Sequence, residues 1–290
     1  MAHQERKKIM KTWKKIVLGV SLISLFLGGG LVAWGYSQGG LTDLQNQTKS
    51  EQDYVKKEVK DFNKIDIKSS SYNVLIKNGD VDKATLSYYQ KTKNPIDTSV
   101  KDGQLTINDN NSELDSTSNK HINFFGLKDL VRLSTLNEEV RNKTIVITLP
   151  KKQTIDFLKV DLATGNLDLS NSTIKQADIN LNVGDLTFTK MIVSNLKANL
   201  DVGSVDSDHT LFTNSDLSIA MGDYSGDNLI FNGHNKLDVT SGDIEIALKD
   251  YTLNVQADSH SGEVDITNNL KISKDNTLTI TSDLGDITVE

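Results

Sequence analysis

The chain has 290 residues, with 39 acidic and 32 basic side chains, a formal net charge of −7, and no cysteine. The absence of cysteine excludes disulfide bonds and thiol catalysis. Only two prolines are present, which excludes collagen-like and proline-rich chains.

The first 36 residues combine a basic segment with an uncharged apolar one. Residues 1–15 carry six Lys or Arg side chains, and the 21 residues of 16–36 carry no charge. A run of that length is long enough to cross a bilayer core of about 30 Å as a helix. The positive-inside bias then predicts a cytoplasmic basic segment at 1–15, a transmembrane helix at 16–36 and an extracellular carboxyl-terminal domain. A cleaved signal peptide is the alternative, since residues 16–27 also have the length of a signal-peptide core.

The region beyond residue 36 is acidic. Without the six basic residues and Glu5 of the first segment, 26 basic and 38 acidic side chains remain, a net charge of −12. Such a surface does not attract nucleic acid or anionic wall polymers by electrostatic steering, so we expect no nucleic-acid partner. Residues 37–61 are predicted to be a stalk, flexible at its start and highly charged over residues 49–60, where a helix is one option.

A glycine returns at nearly constant spacing in the second half of the chain. The successive steps are 19, 19, 19, 20, 20 and 23 residues. Apolar residues lie five and three positions before most of these glycines and two and four positions after them, with polar residues between. This alternation predicts two short strands per repeat, joined at the glycine, which enters positive φ easily. The glycines are Gly165, Gly184, Gly203, Gly222, Gly242, Gly262 and Gly285.

Stacked repeats of this kind predict an all-β domain over residues 62–290. We expect a single-stranded parallel β-solenoid, or β-helix, whose apolar columns form one continuous core. A propeller blade of about 40 residues is the competing repeat, but steps of 19 and 20 residues favour the solenoid. A small residue replaces an apolar one at four positions, where the core narrows or the register shifts: Ser207, Gly226, Ser259 and Ser282.

The pattern is less regular before residue 110. Residues 62–67 match the strand before a corner, and Ser70 takes the place of the glycine. Gly103 is followed by Leu105 and Ile107 at the offsets found in the repeats. We therefore predict an irregular form of the same solenoid in this part of the chain.

Residues 110–142 interrupt the repeats with a segment that starts polar and becomes apolar. Long insertions in repeat domains often carry binding functions. The pattern favours a short helix that caps or covers the side of the solenoid. The alternative is that its large apolar side chains form a candidate interaction patch for a partner or a membrane surface. The patch comprises Ile122, Phe124, Phe125, Leu127, Leu130, Val131 and Leu133.

The segment TIVITLPK at residues 144–151, followed by alternating apolar residues and the sequence GNLDL at 165–169, resembles the bacterial putative-adhesin family of unknown function. The resemblance covers about residues 62–290. It implies a β-solenoid module common on envelope proteins. Through relatives in Lia-type envelope-stress systems, it also implies a role in sensing or protecting the envelope. The family offers no catalytic residue to transfer to this chain.

Polar residues suggest two kinds of chemistry, each with a simpler alternative. The residues that follow the glycines would form a ladder able to bind Ca²⁺, or would only keep the strand surface soluble. Two acidic pairs, Asp206 with Asp208 and Asp161 with Asp168, have the composition of a glycosidase acid and base. However, acids are spread evenly along the repeats, and the five histidines lack metal-ligand spacing. The ladder comprises Asn166, Asp185, Ser204, Asp223, Asp243, Glu263 and Asp286.

These features predict a membrane-anchored extracytoplasmic protein that binds or organises an envelope component. We expect no enzyme activity, catalytic residue, metal or cofactor. The expected partners are the membrane and an envelope protein or cell-wall component. Self-association is a further option, because no segment that would cap the last repeat is evident after Gly285. A surface adhesin is the alternative function, and a polysaccharide-acting enzyme is the more distant one.

Overall fold

The computed structural model describes residues 52–91, 95–109 and 143–290. All the regular secondary structure within these ranges is β-strand, which confirms the all-β prediction. The basic segment, the predicted transmembrane helix at 16–36 and the insertion at 110–142 lie outside the described residues. No helix in the described ranges could span a membrane. The described strands belong almost entirely to one compact unit, Asp53–Glu290.

The described part of the chain contains 25 strands. Those of the amino-terminal region are β1 (Gln52–Glu58), β2 (Lys64–Ser69), β3 (Asn73–Gly79), β4 (Thr85–Lys91), β5 (Asp97–Lys101), β6 (Gln104–Asn108), β7 (Thr144–Pro150) and β8 (Thr154–Ile155). The middle strands are β9 (Phe157–Leu162), β10 (Leu167–Ser170), β11 (Thr173–Ile174), β12 (Ala177–Val183), β13 (Leu186–Thr189), β14 (Ile192–Ser194), β15 (Leu196–Val202), β16 (Val205–Asp208), β17 (Leu211–Thr213), β18 (Asp216–Met221) and β19 (Tyr224–Asn232). The last strands are β20 (His234–Ser241), β21 (Ile244–Leu248), β22 (Asn254–Ser261), β23 (Val264–Ile266), β24 (Thr277–Leu284) and β25 (Ile287–Val289).

Each coil of the middle region has three strands, one on each of three faces. Strands β9, β10 and β11 are followed by β12, β13 and β14, and each pairs in parallel with its counterpart one coil on. The first face holds the strands before the glycines, and the second face holds those after them. The long strand β19 runs through the second and third faces and joins them into one sheet.

The third face corrects the prediction of two strands per coil. Four of its strands, β8, β11, β14 and β17, are only two or three residues long, and β19 adds its last three residues to this face. Each coil therefore places a single buried apolar side chain here, and from β11 to β19 that side chain lies nine positions after a glycine. One side chain cannot show the alternation by which strands are recognised in a sequence. The buried residues of this face are Ile155, Ile174, Val193, Phe212 and Phe231.

Inward side chains of successive coils stack in columns and form the core. The predicted apolar positions around the first five glycines are buried, whereas Val264 in the coil of Gly262 is 38% exposed. On the third face Phe212 meets Phe188 edge to face at 5.3 Å and stacks on Phe231 at 5.8 Å between ring centroids. Each large apolar side chain contributes about 1.5–3 kcal/mol when buried, so several coils together offset the entropy cost of ordering the chain.

The two small residues that follow Gly203 and Gly222 have different effects, and only the second lies at a register shift of the predicted kind. Ser207 is buried, and its hydroxyl lies 3.3 Å from the phenol oxygen of Tyr224. The pairing of β19 with β21 shifts register between Gly226 and Leu229. The core therefore becomes locally polar, and the ladder becomes irregular, in the same two coils.

The repeated glycines allow neighbouring coils to approach closely. Gly203 has a φ of 146°, and a Cβ atom there would lie 2.0 Å from the carbonyl oxygen of Gly184. Gly184 meets Gly165 in the same way, at 2.1 Å. Real Cβ atoms do not approach backbone this closely, so the corner requires glycine.

The order of the coils in the stack departs from their order in the chain at both ends. Strands β2 and β3, the first coil, lie between β6 and β7 on one side and β9 and β10 on the other. Strands β24 and β25, the last coil, lie between the coil of β20 and β21 and that of β22 and β23. The last coil is thus covered by an earlier coil of the same chain, a cover that we did not expect from the sequence.

The amino-terminal coil is offset by two residues from its predicted phase. Val74 pairs with Leu167, so Tyr72, and not Ser70, occupies the position of the glycine. An offset of two residues keeps the same side chains facing inward, because side chains alternate along a strand with period two. The apolar pattern alone therefore could not reveal the error.

Two further predictions in this region were wrong. Gly103 does not form a repeat corner; Asp102 and Gly103, both at positive φ, form the two-residue turn of the antiparallel hairpin β5–β6. The charged stretch 49–60, for which a helix was one option, contains strand β1. Strand β4 pairs antiparallel with β7, so antiparallel strands accompany the parallel coils only at this end of the described fold.

Candidate functional site

A polar cleft of about 490 Å³ lies where β2, β6, β9 and β12 end on the first face. Its position follows from the strand pattern. Ile67, Val160 and Ile179 point into the core, so the residues that follow them point outward. The cleft is lined by Lys68, Ser69, Ser70, Asn108, Asp109, Asp161, Leu162, Ala163, Asn180 and Asn182.

Parallel register brings four of these polar residues side by side. Asn108 pairs with Lys68, Lys68 with Asp161, and Asp161 with Asn180. Adjacent strands lie about 4.8 Å apart, so the four side chains form a regular polar row across the cleft. Asn199 of the next coil continues this row.

Hydrogen bonds fix the orientation of the row. The Asn180 amide donates to Asp161 Oδ1 at 3.0 Å, and its oxygen accepts from Asn199 Nδ2 at 2.9 Å. Lys159 Nζ lies 3.6 Å from Asp161 Oδ2. Because these groups are only partly buried and are held in place by one another, they present an ordered set of donors and acceptors to solvent.

A buried carboxylate lies at the base of the cleft. Asp109 is only 6% exposed, and its Oδ2 accepts hydrogen bonds from the hydroxyls of Ser69 and Ser70 at 3.2 and 3.0 Å. Burial, together with the charge of Asp109 and the nearby Tyr88, raises the pKa of Tyr72 to about 12. The phenol is therefore neutral at physiological pH, and it donates to the Tyr89 carbonyl at 3.0 Å.

The first face carries a second row of regularly alternating charge beside the cleft. Successive coils contribute an acid and a base in turn, so each charge lies next to its opposite across the strand register, an arrangement that stabilises cross-strand pairs. The members of the row are Asp66, Lys159, Asp178, Lys197, Asp216 and Lys236. The three acids and three bases of this row cancel in charge, although the chain is acidic.

The polar ladder after the glycines has a structural role that the sequence analysis missed. Each of these side chains except Glu263 accepts a hydrogen bond from the backbone N–H of its counterpart in the adjacent coil of the stack. The Ser204 N–H donates to Asp185 Oδ1 at 3.0 Å, and the Asp243 N–H donates to Asp223 Oδ1 at 2.9 Å. The restriction of this position to Asn, Asp, Ser and Glu was the available signal, since these side chains bond readily to nearby backbone.

The two proposed acidic pairs are placed differently. Asp161 lies on the first face and Asp168 on the second, so the structure does not bring them together. Asp206 and Asp208 share the outer face of β16. Asp168 is buried, its Oδ2 has no hydrogen-bond partner, and burial with the nearby charge of Asp185 raises its pKa to about 7.

Potential metal ligands occur together at one place in the described ranges. Asp208, His209 and Asp227 each present a ligand atom within 4.8 Å of the others. The spacing of these residues along the chain does not reveal the group, because its members come from the corners of two successive coils. The candidate interaction patch, Ile122 to Leu133, lies outside the described residues and stays a prediction.

The sequence of residues 62–290 matches the Toastrack DUF4097 family. The chain belongs to this family. The membership agrees with the resemblance to bacterial adhesin-like proteins found in the sequence. None of the curated proteins compared with this Toastrack chain is significantly similar to it.

Solved structures similar to this Toastrack chain come from several bacteria. A putative adhesin from Bacteroides fragilis is 18% identical, with a TM-score of 0.47, and the match covers 83% of this chain and 98% of that one. A putative cell adhesion protein from Clostridium sporogenes is 16% identical, with a TM-score of 0.38 and coverages of 82% and 99%. A putative lipid binding protein from Parabacteroides distasonis is 13% identical, with a TM-score of 0.38 and coverages of 83% and 98%. At these values the likeness carries no conclusion about the function of this chain.

Proposed function

We propose that this Toastrack chain is a membrane-anchored extracytoplasmic binding protein that recognises a neutral, hydroxyl-rich glycan of the cell envelope. The polar cleft is the observation that carries this proposal. Its row of Asn108, Lys68, Asp161 and Asn180 offers amide, ammonium and carboxylate groups at regular spacing. Such groups bond to sugar hydroxyls as donors and acceptors.

The balanced charge row beside the cleft supports a neutral ligand. The alternating row from Asp66 to Lys236 cancels charge beside the cleft, while the region after residue 36 has a net charge of −12. Anionic polymers are repelled at long range by the acidic chain, whereas a neutral glycan is unaffected. Recognition then depends on hydrogen bonds, each of which contributes about 1 kcal/mol net.

Sedimentation with insoluble cell-wall glycan tests the proposal, using the full chain in detergent. We expect the wild type to bind, and Asn180→Ala and Asp161→Asn each to weaken binding roughly three- to tenfold, the effect of losing about one hydrogen bond. Asn269→Ala, an exposed asparagine outside the cleft, is the matched control. Equal binding by all four proteins, or none by the wild type, would contradict the proposal. Retention on foreign cell surfaces but not on the wall would favour an adhesin.

The anchor is tested separately by protease shaving of intact cells. The basic segment 1–15 and the uncharged residues 16–36 support a cytoplasmic amino terminus with the Toastrack domain outside. We expect added protease to cleave the chain after residue 37 in intact cells. Protection of that region would exclude an extracellular domain and, with it, direct binding to the outer wall.

A role in envelope-stress sensing or surface organisation is part of the same proposal. A binding domain joined to a membrane helix can report the state of its ligand to membrane partners. Deletion of the gene should then change the response of cells to wall-active antibiotics, and a chain with Asn180→Ala should fail to restore it. Full restoration by this variant would separate the stress role from the cleft.

A further inference from the structure

The corner between the second and third faces repeats one backbone conformation in four successive coils. Asn171, Lys190, His209 and Asn228 all have a positive φ, between 52° and 55° for three of them and 49° for His209. The Lys190 N–H donates to the Asp208 carbonyl at 2.8 Å, and the His209 N–H donates to the Asp227 carbonyl at 2.9 Å. These bonds hold equivalent corner residues one above another at the spacing of the coils.

Two of these corners bring an imidazole and two carboxylates together. Asp208 Oδ1 lies 2.6 Å from His209 Nδ1, and ligand atoms of Asp208, His209 and Asp227 all lie within 4.8 Å of one another. Asn228 Nδ2 donates to Asp227 Oδ2 at 2.7 Å. This amide orients the Asp227 carboxylate in the way that outer-shell groups orient metal ligands.

The separations suit a single small cation. Imidazole nitrogen and carboxylate oxygen bind Zn²⁺ at about 2.0–2.2 Å, so two ligands of one ion lie up to about 4.3 Å apart. His209 and Asp208 are about half exposed, so small side-chain rotations can close the remaining difference. The mixed nitrogen and oxygen set favours Zn²⁺, Co²⁺ or Ni²⁺ over Ca²⁺ and Mg²⁺, which prefer oxygen ligands alone.

The same two coils are those in which the repeat is broken. Ser207 and Gly226 replace inward apolar residues, and the register of β19 shifts between Gly226 and Leu229, directly at Asp227 and Asn228. Register irregularities re-aim side chains and are frequent beside functional sites. The equivalent positions of the two preceding coils hold Ser170 with Asn171 and Thr189 with Lys190, which cannot supply such a ligand set.

We propose that Asp208, His209 and Asp227 bind one divalent transition-metal ion, with the fourth coordination position open to water or to an atom of a partner. The site lies at a different corner from the polar cleft and does not depend on the glycan proposal. Three protein ligands from two adjacent coils would also tie those coils together.

The experiment uses the tag-free, metal-stripped full chain in detergent. We expect one Co²⁺ ion to bind per chain and to give the visible absorption of a low-symmetry site. Zn²⁺ should displace the bound Co²⁺, which calorimetry measures. His209→Asn should weaken binding by about tenfold or more. Asparagine tolerates the positive φ at this corner, as Asn171 and Asn228 show, so this variant should fold normally.

His234→Asn is the matched control, because His234 is exposed and its Nδ1 lies 3.0 Å from Thr277 Oγ1, away from any acidic group of the site. It should bind Co²⁺ as the wild type does. Asp227→Asn, the second variant, should weaken binding while leaving the circular dichroism unchanged. The proposal is overturned if no saturable Co²⁺ or Zn²⁺ binding is found, or if His209→Asn binds as tightly as His234→Asn.

Discussion

The middle of the stack and its two ends use similar coils but connect them differently. From β12 to β19, each coil pairs with the coils that precede and follow it in the chain. At each end the outermost coil and its neighbour exchange order, so that the first and last coils in sequence are both interior. A constant repeat thus determines the neighbours of a middle coil but not those of a terminal one.

The two ends also differ from each other. The amino-terminal end adds β1 and the antiparallel strands β4 and β5 beside the parallel coils, and its Leu86, Tyr88 and Ile96 are buried. At the other end, Val264 is 38% and Ile272 86% exposed. The apolar core is therefore covered by added strands at the amino-terminal end, whereas at the other end its apolar side chains are partly exposed. Substitutions at equivalent positions should have large effects in the middle and small effects at the partly exposed end.

The largest expected effect is at a middle corner. Gly203→Ala would place Cβ 2.0 Å from the Gly184 carbonyl oxygen at a φ of 146°, so we expect a loss of more than about 4 kcal/mol of unfolding free energy. Gly226→Ala is the control, because its Cβ would meet side-chain atoms of Leu229 and Tyr224 and no backbone atom, and it should cost about 1–3 kcal/mol. Urea denaturation measures both. Similar losses would show that the close approach of coils is not the limiting feature.

The aromatic column gives the next effect. Phe212 is buried between Phe188 and Phe231, so Phe212→Ala should cost about 3–5 kcal/mol. Val264→Ala, in the thin terminal coil, should cost less than about 1 kcal/mol because Val264 is partly exposed. Thermal and urea unfolding compare the two variants. A large loss at Val264 would mean that the terminal coil is as tightly packed as the middle.

Asp168 links stability to pH where the first coil meets the regular ones. Burial raises the pKa of Asp168 from 3.8 to about 7. Between these two pH values the folded state keeps a proton on this carboxyl group that the unfolded state has released. Its contribution to stability is present below about pH 4 and is lost as pH rises to 7, by up to about 4 kcal/mol. Asp168→Asn should remove this slope.

Asp265→Asn is the control for the pH experiment, since Asp265 is exposed in the same outer column of the terminal coil. Its unfolding free energy should follow the wild type between pH 4 and 8. If Asp168→Asn retains the wild-type slope, the carboxyl group of Asp168 is not the source of the pH dependence.

The smallest predicted effect concerns the polar ladder. Asp185→Ala removes the acceptor of the Ser204 N–H and should cost about 1 kcal/mol. Glu263 belongs to the outermost coil, and no described backbone N–H donates to its carboxylate, so Glu263→Ala should be nearly neutral. Equal costs in chemical denaturation would indicate that solubility of the acidic surface, and not the backbone hydrogen bond, explains the ladder.

The sequence was sufficient for the regular coils because their glycines and alternating residues report the same local geometry each time. It was not sufficient for the third face, where Val193 and Phe212 are single inward residues in strands of three residues. A column of apolar residues nine positions after each of the first four glycines was present in the sequence and would have revealed this face.

The amino-terminal errors have a different cause. Ser70 and Tyr72 are two positions apart, so either of them at the glycine position leaves the same apolar side chains facing inward. Only the pairing of β3 with β10 shows that Tyr72 occupies it. The Asp102–Gly103 dipeptide is a strong hairpin signal that the repeat pattern concealed. The polar cleft and the group at Asp208 depend on contacts between coils, which no linear spacing contains.

The interior position of β25 has a mechanical consequence. This strand is bonded to β21 on one side and to β23 on the other, and Glu290 also exchanges backbone hydrogen bonds with Ile246 and Leu248. A force that pulls on the chain after Val289 would have to break the hydrogen bonds of β25 to β21 and to β23 at the same time. In a solenoid whose last strand is outermost, the same force would break the bonds to one neighbouring strand only. A tether attached there would therefore resist force better than the exposed and thinly packed coil beside it suggests.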